Sequence, residues 1–218
     1  MKKQFLVLLF LLLVMVASFF SCQKDDPANV TNEIHYPSDI TFHSLEQRLT
    51  ENGWKEFALG NYAQAIDSFH LATQTNSLYI DAFNGLGWTY ARMDSLEKAL
   101  YYLTVCMVSA DNEQVYKDAR AGRSFVNLAL NEYVKAIEDV DAVILEQFEY
   151  YYNYKDYAFR HDASISSSDL VLVVAESYFM VGNYPACYEA LFWIDDSIEE
   201  TNNPEELAMI IEQLKQTI

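Results

Sequence analysis

Glycine and proline are scarce in this chain. Six glycines and four prolines among 218 residues are too few for the many tight turns of a β sandwich. Cysteine is scarcer still, at three. Cys106 and Cys187 stand alone inside apolar helical patterns and read as small core residues, not as a disulfide or a metal site. Basic residues are outnumbered, 14 against 32 acidic, for a net charge of −18. That sign excludes a nucleic-acid binder that works by neutralising phosphates, and it makes the surface repel anionic lipid headgroups. Catalytic signatures are missing as well. There is no phosphate-cradling glycine loop, no HExxH, no CxxC pair and no GxSxG elbow. His35, His43, His70 and His161 are scattered without ligand spacing, and the paired carboxylates Asp195-Asp196 and Glu199-Glu200 read as a solvated helix end. His161-Asp162 is the one suggestive polar pair and reads first as a histidine holding a loop. The expectation is a binding protein and not an enzyme, with no cofactor and no metal.

What is present begins at the N-terminus. Lys2 and Lys3 precede an apolar run from Phe5 to Phe20, broken only by Ser18. A charged start, a short apolar stretch and small residues (Ala17, Ser18, Ser21) have the form of a secretory signal, and the run is short of the roughly 20 residues that span a bilayer. Phe19-Phe20-Ser21-Cys22 resembles a lipobox, the acylation site of bacterial lipoproteins, although Phe19 stands where an aliphatic residue is usual. Gln23-Lys24-Asp25-Asp26 resembles the acidic stretch that routes some of these proteins to the cell surface. The resemblance implies a signal over 1–21, a lipid on Cys22 and a tethered, soluble body at the outer membrane. Residues 22–40, with Pro27, Asn29, Asn32, Pro37 and Ser38 and no apolar period, read as a linker. The body is then 41–218.

That body repeats. Gly53-Trp54 recurs as Gly87-Trp88, Ala65 as Ala99 and Ala72 as Cys106, each 34 residues on. Phe83, Leu86, Gly87 and Tyr90, followed by Ala99 and Leu103, form one full copy; Gly53, Phe57, Gly60, Tyr62, Ala65, Phe69 and Ala72 form another. A third is marked by Tyr133, Ala136 and Ile137, a fourth by Ala175, Tyr178, Gly182-Asn183-Tyr184, Cys187 and Leu191. This period and pattern resemble the tetratricopeptide repeat (TPR), a pair of antiparallel helices. The resemblance covers about residues 46–200 and implies an all-α superhelix of about four helix-turn-helix repeats. Asn203-Pro204, with Glu205 and Glu206 in the first turn, opens a C-terminal capping helix.

Two features depart from the pattern. The first helix of the third copy carries Arg120, Arg123 and Asn127 where apolar residues belong. An excess of 17 residues separates copies three and four, an aromatic-rich insertion at about 148–167 that includes Phe148, Tyr150, Tyr151, Tyr152, Tyr154, Tyr157 and Phe159. So many rings do not suit a solvated loop. The second helix of repeat 3 is expected to run on into the tyrosines, and the remainder to fold back on the array.

In the TPR family the first helix of each pair lines the concave face. Carried over, the candidate groove comprises Trp54, Trp88 and Phe125 as an aromatic ladder, with Asp81 and Asp118 beside it and Asn84 and Arg92 in repeat 2. Such a face suits a protein or peptide partner in the cell envelope or, in the alternative, a glycan stacked on the rings, as in a glycan-capture accessory of a nutrient-uptake system. If the insertion covers the rings, they are core instead.

Overall fold

The computed structural model describes residues 43–148, 151–154 and 156–218. The leader, Cys22 and the linker read from the sequence lie outside these residues. His43–Ile218 forms one compact unit. Its described residues form nine helices and one two-stranded ribbon: α1 Leu45–Ala58, α2 Tyr62–Thr75, α3 Ile80–Arg92, α4 Leu96–Ser109, α5 Glu113–Ala129, α6 Tyr133–Ile144, β1 Leu145–Phe148, β2 Tyr151–Tyr154, α7 Ser167–Met180, α8 Tyr184–Ile194 and α9 Pro204–Thr217. The eight helices α1 to α8 pair as four antiparallel hairpins, and α9 packs on α7 and α8 as the cap.

Local chemistry sets the boundaries. Ser44 and Gln47 form a capping box at α1, and Asn112 accepts from Gln114 N and Val115 N at α5. Within each hairpin the turn contains one residue with positive φ: Gly60 (75°), Asp94 (55°), Asn131 (62°) and Gly182 (76°). Glycine, asparagine and aspartate are the residues that tolerate this left-handed backbone best. The four turns therefore mark four equivalent repeats, and the third is displaced because α5 has 17 residues against the 13 of α3.

Close approach explains the small residues. A Cβ on Gly53 would lie 2.6 Å from the Phe69 ring, and one on Gly85 2.3 Å from it. Phe69, fully buried, is thus wedged between α1 and α3. Leu103 is wedged in the same way against Gly87. Burial of these side chains drives stacking, since no hairpin covers its own apolar face alone. Each first helix also touches the first helix of the next repeat (α1 with α3, α3 with α5, α5 with α7), whereas successive second helices make no comparable contact. The first helices therefore line the inner, concave side.

The polar residues of α5 are explained by one acid. Asp139 of α6 is fully buried. It accepts from Arg123 Nε at 2.8 Å, Arg120 Nη1 at 3.1 Å and Asn127 Nδ2 at 2.9 Å. A carboxylate in such a place needs partners to offset desolvation, and Arg120, Arg123 and Asn127 are those partners. Cys106 and Cys187 are buried free thiols. Burial raises both, Cys187 to about 11.

The insertion departs from expectation in one respect. α6 does not continue into the tyrosines. It stops at Ile144, and the chain turns into the antiparallel ribbon, with Leu145 opposite Tyr154 and Phe148 opposite Tyr151. A run of ring-bearing residues loses rotamer freedom in a helix and favours a strand.

Candidate functional site: a concave face closed by the insertion

Three first helices present the face. On α3, Asp81, Asn84 and Trp88 fall on one side at i, i+3 and i+7. Trp54 of α1 and Asp118 and Phe125 of α5 continue the stripe. The repeats are tied along it by their tryptophans. Trp54 Nε1 donates to Asp81 Oδ2 at 3.2 Å, and Trp88 Nε1 donates to the Asp118 carbonyl at 3.0 Å. The Trp54 N–H thus reaches the first turn of the next repeat's inner helix, and the Trp88 N–H reaches the second turn of the one after. Phe125, half-buried, has its ring centroid 6.2 Å from that of Trp88.

The face is occupied by the chain itself. After the ribbon, residues 157–166 double back, held by internal backbone bonds: Phe159 N to Ile165 O (2.9 Å), Ile165 N to Asp162 O (3.1 Å) and Ser167 N to Tyr157 O (2.9 Å). Ser164 N donates to Asp162 Oδ1 and tightens the turn. Ser166 and Asp169 then cap α7. This plug sets its rings against three repeats. His161 lies flat on Trp54, with centroids 3.7 Å apart and planes 2° from parallel. Phe159 stacks on Trp88 at 4.1 Å and meets Trp54 edge-on at 5.8 Å. Tyr157 donates its hydroxyl to Asp118 Oδ1 at 3.1 Å. Between the rings, Arg160 bridges two acids: Nε to Asp118 Oδ2 at 2.9 Å and Nη2 to Asp81 Oδ1 at 3.4 Å. At the tip, Arg92 pairs with Asp162. Trp54 and Trp88 are left 6% and 3% exposed. The rings are core in this state, not an open ladder.

Burial and charge set the titration of the groups here. Burial raises the Asp118 carboxyl, against the hydrogen bonds from Gln114 and Arg160 that favour its ionised form. Burial, joined by the charge of Asp118, pushes the Tyr157 phenol up, so it remains a donor. Burial lowers His161 to about 4, despite attraction from Asp81, and the stacked ring is neutral at pH 7. Asp162 is held low: burial opposes this, but Ser164 and Arg92 outweigh it.

One polar residue on the stripe is left over. Asn84 is fully buried, yet neither its Oδ1 nor its Nδ2 has a hydrogen-bond partner. Thr50 Oγ1, one repeat earlier on α1, and His161 Nε2 are in the same condition. Among the described residues no group of three or more His, Cys, Asp or Glu could hold a metal ion.

The face therefore gathers Trp54, Trp88, Phe125, Asp81, Asn84, Asp118 and Arg92, and joins to them residues that the repeat pattern does not indicate. Arg160 is invisible to sequence reasoning because nothing marks a lone arginine in an insertion as the partner of two acids some 42 and 79 positions earlier. The alternation Tyr157, Phe159, His161 is the available signal: rings at two-residue spacing suit an extended segment that shows one side to a surface.

No family model matches the chain, and no curated protein matches it in sequence. Among solved structures it is similar to a tetratricopeptide repeat protein from Parabacteroides merdae ATCC 43184, with a TM-score of 0.53 and 17% identity over 79% of this chain. It spans 60% of that protein's length. A second likeness, to a thermophilic TPR protein of Thermus thermophilus, has a TM-score of 0.37 and 15% identity, covering 78% of this chain and 99% of that one. The first likeness, with four hairpins, four left-handed turns and a capping helix, gives this chain the tetratricopeptide-repeat fold.

Proposed function

We propose that this chain is a non-catalytic protein-binding scaffold of the bacterial cell envelope, tethered through an acylated Cys22 and using the concave face of its repeats. The observation that supports it is the plug. The face holds a stretch of polypeptide, its own, by ring stacking and by carboxylate–guanidinium pairing. These are the means by which a groove recognises a protein segment. The tether is read from Lys2-Lys3, the apolar run and Cys22. The chain as a whole has a net charge of −18, so its surface is not drawn to anionic lipid.

Two measurements test this reading. A clickable fatty acid should label the full chain and fail to label Cys22→Ala. Crosslinking in the intact envelope should then capture a protein that rebinds the purified body at stoichiometric ratio. Equal labelling of both forms would end the tether. Quenching of tryptophan emission by envelope glycans, with no protein that rebinds, would overturn the scaffold.

A further inference from the structure

Resting on the scaffold reading, we propose that Tyr157–Asp162 is a built-in stand-in for the partner: the groove's true occupant is a protein segment with aromatic rings on alternate residues and an arginine among them, and it enters by displacing the plug. Three observations carry this. The first is the form of the contact. Tyr157 meets Asp118 of α5, Phe159 stacks on Trp88 of α3 and touches Trp54 edge-on, and His161 stacks on Trp54 of α1, so successive rings reach successive repeats. The grip on the groove is through side chains; the plug's backbone bonds run to Asp162, Ile165 and Ser167 and not to α1, α3 or α5. Nothing in such a grip requires that the segment belong to the same chain.

The second observation is that the plug satisfies the face incompletely. It engages Asp81 and Trp88 but leaves Asn84, which lies between them on the same side of α3, buried with both amide atoms unpartnered. Thr50 Oγ1 and the plug's own His161 Nε2 are likewise without partners. Buried polar groups without partners are a cost that folded proteins seldom leave standing. An occupant that offers a backbone amide or carbonyl to Asn84 removes part of it. That is the differential affinity any displacement requires.

The third is charge. Asp81 and Asp118 bracket one guanidinium, and the Arg160 side chain is 40% exposed at that point. A cation arriving from outside can replace it, while an acidic segment meets two carboxylates on a chain of net −18.

The test uses a free peptide of sequence Asp156–Ser164, a second copy with glutamate in place of Arg160, and the body 43–218 in a Trp193→Phe background so that emission reports Trp54 and Trp88. The peptide should bind the plug-weakened variant F159S/R160A at least tenfold more tightly than the unaltered plug, and the glutamate peptide at least tenfold more weakly than the arginine one. Equal affinity for both proteins, or no dependence on the arginine, would overturn the proposal. So would a weakened variant that dimerises through its own segments, since the occupant would then be a second copy. If the weakened variant does not fold, hydrogen exchange on the full chain decides. Millimolar peptide should speed exchange at the Phe159 and Ser167 amides, and unchanged protection there would mean that the plug never leaves. These results bear on displacement alone; a partner captured from the envelope that leaves the plug protected would keep the scaffold reading and refute this one.

Discussion

The indole of Trp54 and the imidazole of His161 lie face to face, 3.7 Å between centroids and 2° from parallel. One belongs to the first helix of the array and the other to an insertion before the last repeat. Their contact makes the insertion part of the core of repeat 1. It also places a titratable ring, partly buried, where its charged form is poorly solvated.

That placement predicts a pH dependence. His161 is lowered to about 4 from an ordinary 6.5, chiefly by burial. The folded state therefore favours the neutral ring. The stability so gained is whole above pH 6.5, declines as pH falls below it, and is gone near pH 4. The full swing is at most about 3 kcal/mol. His161→Phe keeps the stacked ring and removes the proton site. Its denaturation midpoint should fall less than that of the unaltered chain between pH 7 and pH 4, measured at matched ionic strength. Parallel pH profiles would mean that His161 is solvated.

Asp118 should be the most sensitive acid of the site. It is fully buried and accepts from Tyr157, Arg160 and Gln114. Asp118→Ala leaves the Tyr157 hydroxyl without its acceptor and should cost about 2–4 kcal/mol, less than a fully enclosed pair because Arg160 can turn to solvent. Limited proteolysis should cut the variant first within 157–166. An unaltered melting curve would mean that the plug does not depend on this carboxylate.

The Asp139 cluster distinguishes a structural role from a functional one. Asp139→Ala strands Arg120 and Arg123 and should cost about 3–5 kcal/mol. Replacing all three by apolar residues of similar volume should be milder, with a residual cost from the buried Asn127 amide left without its acceptor. Urea unfolding of the single and triple variants measures both. Equal losses would show that the ion pairs contribute more than an apolar contact could.

Much of this is legible in the sequence, and the reasons are physical. Gly53 and Gly87 recur at the repeat period because bulky rings or branches, Phe69 and Leu103, close on the inner helices there. Any array that stacks so tightly shows the same small residues at the same spacing. Trp54, Trp88, Asp81 and Asp118 can be placed on one face for the same reason. What stays hidden depends on pairs remote in sequence. Arg120 and Arg123 resemble a fault in the repeat until Asp139, on the next helix, is seen to be buried beside them. The tyrosine-rich stretch is plainly unsuited to a free loop. Whether its rings extend α6 or form a ribbon is a contest between helix continuation and strand preference that local pattern does not decide.

Gly122 offers a check on how tightly the face is closed. A Cβ there would lie 2.8 Å from Trp88 Cε2, and Phe159 is stacked on Trp88 at 4.1 Å. The indole is enclosed, with 3% of its surface exposed. Gly122→Ala should therefore destabilise by about 1–3 kcal/mol through overpacking, even though alanine is the better helix former. A stabilised variant would mean that Trp88 is free to move.

The insertion closes the groove over Trp54 and Trp88, and acrylamide quenching measures that closure without an intermediary. In the Trp193→Phe background the two remaining indoles should emit at short wavelength and resist quenching. Phe159→Ser should shift their emission to longer wavelength and raise the quenching constant several-fold, with helical content unchanged. Long-wavelength emission and free quenching in the unaltered plug would contradict closure, for they would place the rings in open water.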